Sequence, residues 1–180
     1  MIRPMAPPAP LEIPDPALVV LVGAAGAGKS TFAARHFTPA EVLSSDAYRE
    51  LIAGDAADQA ATAAAFKALH RELSRRLRRG ELAVVDATNV TRAARRTLLA
   101  IAGAAGVPAI AIVLEPPTDV VLGRNAARPG RVVPESAVRR QLADLARTLV
   151  AGRLEAEGFA AVIRLESPDA VDEIEIACRR

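Results

Sequence analysis

Residues 17–37 read ALVVLVGAAGAGKSTFAARHF, and the order of residue types in this stretch decides the fold. The opening is apolar without a break and rich in valine. A run this short and uniform fits a strand buried on both faces, as parallel sheets require. Glycines then crowd the chain at Gly23, Gly26 and Gly28, where a turn needs backbone freedom that other residues lack. From Lys29 onward the residues favour a helix, which Pro39 ends.

Gly23-Ala24-Ala25-Gly26-Ala27-Gly28-Lys29-Ser30 matches G-x-x-x-x-G-K-[ST], with a strand before it and a helix after. Each residue type has a task. Glycines let backbone N–H groups converge on phosphate oxygens. The helix that follows points its positive end at the anion. Lys29 is the candidate ligand of the β- and γ-phosphates, and the hydroxyl of Ser30 the candidate contact to Mg²⁺. Gly23, Gly26, Ala27, Gly28 and Thr31 complete the expected nucleotide-binding set. ATP or another NTP, with Mg²⁺, is the expected cofactor.

Outward from this loop, residues 41–45 (EVLSS) form a second short strand and 46–53 open a helix. Residues 59–79 carry the clearest helical pattern, with Phe66, Leu69, Leu73 and Leu77 spaced by threes and fours and Gly80 as the stop. Residues 82–89 read as a third strand entering a loop. Thr91 caps a helix to about residue 105, and 109–115 form a fourth strand. Helices follow over 118–130 and 134–152, then a fifth strand over 160–166, and 167–169 open a last helix. This alternation predicts an α/β fold: a P-loop NTPase-type three-layer sandwich with a central parallel sheet of about five strands. A helical lid is expected around 118–140. Residues 1–16, with Pro4, Pro7, Pro8, Pro10 and Pro14, read as an extended arm ahead of one P-loop domain over 17–180.

Composition narrows the class. The chain of 180 residues is 51% apolar but only 3% aromatic, so its core is built from Ala, Val, Leu and Ile. The formal net charge is +2, which permits a nucleic-acid partner without requiring one. Lys29 and Lys67 are the only lysines among 23 basic residues, and one of the two sits in the glycine-rich loop. The single cysteine, Cys178, excludes an intrachain disulfide and a multi-cysteine metal site. The proline-rich start lacks the apolar core of a signal peptide, and no run is long enough to span a bilayer. A cytoplasmic location and no membrane partner are expected. His36 and His70 lack partners at ligand spacing and read as structural.

Candidate chemistry lies at strand ends. Asp46 follows the second strand, at the sheet edge where ligands bind in open α/β folds. A carboxylate there serves as a helix N-cap, as the acceptor of an attacking hydroxyl's proton, or as both. Arg49 lies one turn along, placed either to grip an acceptor phosphate or to face solvent. Asp86 ends the third strand, where P-loop enzymes keep a water-mediated Mg²⁺ contact. Asn89, just beyond, is a further candidate. Arg124 and Arg128 share one helix face, and Pro129-Gly130 beside them suits a hinge. Mobile arginines of this kind neutralise a transferring phosphoryl group. Arg75, Arg76, Arg78 and Arg79 read as the solvated side of the long helix.

The ordered set S-S-D-x-x-R, V-D-A-T-N and R-N-x-x-R, with "AADQAATAAAF" and "GFAAVIRLESPDAV", resembles the 5′-kinase domain of the bacterial polynucleotide kinase–phosphatase family, an RNA end-healing and repair enzyme. The resemblance runs across nearly the whole chain. It implies transfer of the γ-phosphate of ATP or another NTP to the 5′-OH end of RNA or DNA. It further implies Asp46 as general base, Arg49 on the acceptor's terminal internucleotide phosphate, and Gln59 near the terminal nucleobase. Lys29, Arg124 and Arg128 take the catalytic phosphate contacts. Family members usually continue into phosphatase and ligase-like domains, so this chain is expected to be either an excised first domain or a whole small protein. After Arg128 the sequence PGRVVPESAV departs from the family's more polar lid. Two other readings share the motifs: a P-loop kinase for a small metabolite or nucleotide sugar, and a nucleotide-binding module without transfer chemistry.

Overall fold

A computed structural model describes residues 10–53, 59–129, 132–150 and 152–179. Strands β1 (Leu11–Pro14), β2 (Leu18–Val22), β3 (Val42–Ser44), β4 (Ala83–Asp86), β5 (Ala109–Leu114), β6 (Ala161–Leu165) and β7 (Ile176–Arg179) alternate with helices. The helices are α1 (Lys29–His36), α2 (Ser45–Ala53), α3 (Gln59–Arg78), α4 (Arg92–Ala105), α5 (Thr118–Ala126), α6 (Glu135–Thr148) and α7 (Pro168–Glu173). Five strands form one parallel sheet in the order β3-β4-β2-β5-β6. This is the α/β sandwich that the strand–helix alternation predicts.

The central strand shows why. Every residue of β2 is buried, and its side chains alternate between two cores. Leu18, Val20 and Val22 join Leu69, Leu73 and Leu77 of α3 and Leu98 of α4. Val19 and Leu21 join Phe32 and Ala33 of α1 on the opposite face. The three leucines of α3 are each at most 1% exposed, and burying a leucine contributes on the order of 2 kcal/mol. Thr91 caps α4 by accepting from the Ala94 N–H, and Gly106 closes it in the left-handed region.

Two elements differ from expectation. The arm expected over 1–16 contains β1, which pairs in parallel with β7 in a separate two-stranded sheet. Ile13 is fully buried there, and Leu11, Ile174 and Ile176 pack against the same core. The last helix accordingly ends at Glu173, because the alternate isoleucines beyond it suit a strand. The other difference is at the lid, where helix ends at Ala126 and Pro129 follows in irregular chain. Gly130 and Arg131 lie outside the described residues.

His36 packs on Phe32 with ring centroids 4.5 Å apart, and its buried Nε2 has no hydrogen-bond partner. Burial, then the neighbouring Arg35, holds its pKa below the usual 6.5.

Candidate active site

The loop after β2, the start of α2 after β3, and Asp86 at the end of β4 meet along the carboxyl edge of the sheet. They open onto a cleft of about 480 Å³, roofed by Arg124, Ala127, Arg128 and Val133.

Two glycines are sterically enforced. A Cβ on Gly23 would lie 2.7 Å from the Leu114 carbonyl oxygen. Gly26 has φ +90°, and a Cβ there would stand 2.4 Å from the Val121 oxygen. The loop therefore packs directly on β5 and α5. The Gly23 N–H donates to the Thr88 oxygen at 2.9 Å, tying the loop to the segment after β4. At the start of α1 no side chain caps the helix, so its first N–H groups remain available to an anion. Ala27 faces the core instead of the cleft, and its N–H donates to Ala24 within the loop.

Lys29 is buried, and its ammonium donates to the Gly23 oxygen at 2.9 Å and the Ala24 oxygen at 2.8 Å. Burial lowers its pKa from 10.5 to about 8, against the opposing pull of Asp86 and Asp46. The Ser30 hydroxyl donates to Asp86 Oδ2 at 2.7 Å. Two oxygen ligands thus sit together beside the cradle, a donor set suited to a hard cation that keeps most of its water. Among the described residues no cluster of three His, Cys, Asp or Glu could hold a metal by itself. Thr31 also lines the cleft.

Asp46 lies in the first turn of α2, and the cap contact comes from Ser44, whose hydroxyl accepts from the Ala47 N–H at 3.4 Å. Its carboxylate therefore remains free to face the cleft, where Arg49 and Arg128 both donate to it, the latter at 3.2 Å. Desolvation alone would raise the Asp46 pKa. The two guanidinium groups outweigh it and hold the carboxyl below its ordinary value. Arg49 lies 5.9 Å from the centre of the Phe66 ring, a cation–π contact that steadies it. Arg124 lies over the loop, its Nη1 3.6 Å from where a Cβ on Gly28 would be.

One candidate has a different task. Asn89 is 4% exposed with φ +49°, and its amide donates to the Leu21 oxygen at 2.8 Å and to Ala87 at 3.3 Å. It locks β2 to the segment after β4 and does not line the cleft. Gln59 opens α3, but its side chain lies outside the described residues.

Sequence reasoning missed two groups. Arg95 is fully buried, makes a bidentate pair with Glu157 at 2.7 Å, and donates to the Asn89 oxygen. No local pattern sets it apart from its neighbours Arg92 and Arg96. Gln141 on α6 lines the cleft and accepts from the Ala25 N–H at 2.8 Å. No local pattern marked it.

Comparisons with known proteins agree with this fold. By fold, the chain is similar to a sugar kinase from Janibacter sp. HTCC2649, at 20% identity and TM-score 0.58, over 87% of this chain and 91% of that one. It is similar to a gluconokinase from Sinorhizobium meliloti 1021, at 21% identity and TM-score 0.56, over 90% of this chain and 89% of that one. It is also similar to a chain of the Pnkp1/Rnl/Hen1 RNA repair complex, at 23% identity and TM-score 0.64, covering 76% of this chain and 46% of that one. The chain therefore spans about half the length of that repair protein. No curated protein sequence matches it significantly. No helix among the described residues is long and apolar enough to cross a membrane. A family model described as "AAA domain" matches residues 18–150, which span the phosphate loop, Asp46, Asp86 and the arginines above them. With the kinase-like P-loop fold in place around those residues, the chain belongs to the AAA domain family.

Proposed function

We propose that this protein is an ATP-dependent polynucleotide 5′-hydroxyl kinase acting in RNA or DNA end healing. The observation that carries the proposal is the Asp46 carboxylate, held ionised between Arg49 and Arg128 in the same cleft as Lys29. A phosphoryl acceptor needs a carboxylate behind its hydroxyl and positive charge around the transferring group. Arg49 adds a guanidinium beside the carboxylate, suited to the internucleotide phosphate that follows a terminal sugar and that a free sugar lacks. The fold similarity to a chain of the RNA repair complex agrees with this choice.

In this reading each residue of the cleft takes one role. The first turn of α1 and Lys29 receive the phosphate chain of the NTP. Ser30 and Asp86 would hold Mg²⁺, which when bound neutralises phosphate charge. Asp46 orients the 5′-OH and takes its proton as O5′ bonds to the γ-phosphorus and the bond to the departing diphosphate breaks. Arg124 and Arg128 lie on the lid side and balance the charge of the transferring group.

The test is transfer of labelled phosphate from ATP to a 5′-OH oligonucleotide, with native protein and Asp46→Ala compared. Native protein phosphorylates the oligonucleotide, and the variant loses about 10²–10⁴ in rate while still binding ATP. If native protein leaves the oligonucleotide untouched but phosphorylates a small hydroxylated metabolite, the small-metabolite reading replaces this one.

A further inference from the structure

We infer that Gln141 is a donor-side positioning residue: its carboxamide holds the phosphate loop with its oxygen and offers its amide nitrogen to the outer phosphates of the bound NTP. This inference rests on the kinase reading only for nucleotide binding and is independent of the acceptor.

The argument starts from one peptide unit. Gln141 Oε1 accepts from the Ala25 N–H at 2.8 Å. The carbonyl of that same peptide, Ala24 O, accepts from the Lys29 ammonium at 2.8 Å. The Ala24–Ala25 peptide is therefore gripped from both sides, by the P-loop lysine and by a side chain of α6. The backbone N–H is a donor only, so it fixes which end of the carboxamide faces it. The oxygen turns to the loop, and the NH₂ group turns away from it.

That NH₂ group has no acceptor among the described residues, and it is not a buried unsatisfied atom, because Gln141 lines the open cleft. A carboxamide left with two donors beside a phosphate cradle is a ready hydrogen-bond source for an anion. The position along the phosphate chain follows from Lys29. Its ammonium shares the peptide with Gln141, and a P-loop lysine reaches the β- and γ-phosphates. Gln141 is thus placed at the outer end of the triphosphate, on the lid side, with Arg128 lining the same cleft. α6 begins at Glu135, inside the stretch expected as the lid, so the contact also ties the far part of that stretch to the loop.

Gln141→Glu separates this role from that of a structural peg. Glutamate keeps an oxygen for the Ala25 N–H but replaces the two donors with negative charge. The full chain is titrated with ATP, ADP and AMP, and its thermal midpoint is measured alongside. The expected result is a midpoint within about 2 °C of native, with ATP affinity down at least about tenfold and AMP affinity within about twofold of native. Gln141→Leu, which loses both contacts, lowers ATP affinity and the midpoint together. ATP binding by Gln141→Glu equal to native overturns the inference and leaves a peg. Equal losses for ATP and AMP also overturn it, because the contact would then not be to the outer phosphates. Failure of the native protein to phosphorylate oligonucleotides would sink the proposed function and leave this result standing.

Discussion

Lys29 binds its proton less tightly in the ligand-free protein than in water, and the consequence is measurable. Burial lowers its pKa from 10.5 to about 8, because a charged ammonium there has lost most of its hydration. At about 1.4 kcal/mol for each tenfold change in proton affinity, holding that charge at neutral pH costs the fold on the order of 3 kcal/mol. The unfolded chain binds more protons than the native one between about pH 8 and 10.5. Stability therefore rises with pH across that window, and this contribution is lost as pH falls to 8. Lys29→Met removes the titrating group. Urea unfolding of native protein and variant, measured from pH 7 to 10.5, should show their stability difference changing by about 3 kcal/mol in favour of native protein at the alkaline end. Subtracting the variant cancels every other titrating group. A bound triphosphate supplies the missing counter-charge and restores the proton. At pH 8.5, where the nucleotide is fully ionised, ATP binding should take up roughly 0.75 proton, read by calorimetry in buffers of different ionisation enthalpy. A stability difference flat with pH would refute the reasoning, and would mean that water reaches the ammonium.

The bidentate pair of Arg95 and Glu157, with side chains 1% and 6% exposed, should be costly to break. Glu157→Ala strands a buried guanidinium and should lose about 3–5 kcal/mol, whereas replacing both partners by apolar residues should lose much less, both read by urea denaturation. Asn89→Ala should cost about 1–3 kcal/mol by removing the amide's hydrogen bonds to the Leu21 and Ala87 oxygens and losing a residue tolerant of positive φ. The same variant should leave the acceptor KM unchanged in a phosphate-transfer assay. A raised KM with unchanged stability would restore Asn89 as a substrate contact.

The phosphate loop was legible because its information is local. Glycine positions, the lysine and the preceding valine-rich run are contiguous, and each acts through its own backbone or nearest neighbours. The sheet followed for the same reason, since buried parallel strands announce themselves as short apolar runs between helical patterns. Asp46, Arg49 and Asp86 line one cleft because strand ends in such a sheet converge on one edge. The amphipathic spacing of Leu69, Leu73 and Leu77 likewise placed α3 against the core before any contact was known. β1 and β7 were missed because proline-rich and mixed segments carry weak strand signals, and their pairing joins opposite ends of the chain.

What remained for the tertiary structure was the partner of each side chain. Asn89 sits in a motif that suggests chemistry, yet its amide is spent on backbone carbonyls. Arg95 lies in an arginine-rich helix that suggests solvent, yet it is the most deeply placed cation described. The contacts that define the site link Ser30 to Asp86, Asp46 to Arg128 and Ala25 to Gln141, separated by 56, 82 and 116 residues. Residue spacing encodes which face of an element is apolar, because that depends only on helical or strand period. It does not encode which polar side chains from distant elements come within 3 Å, because that depends on how the packed layers register.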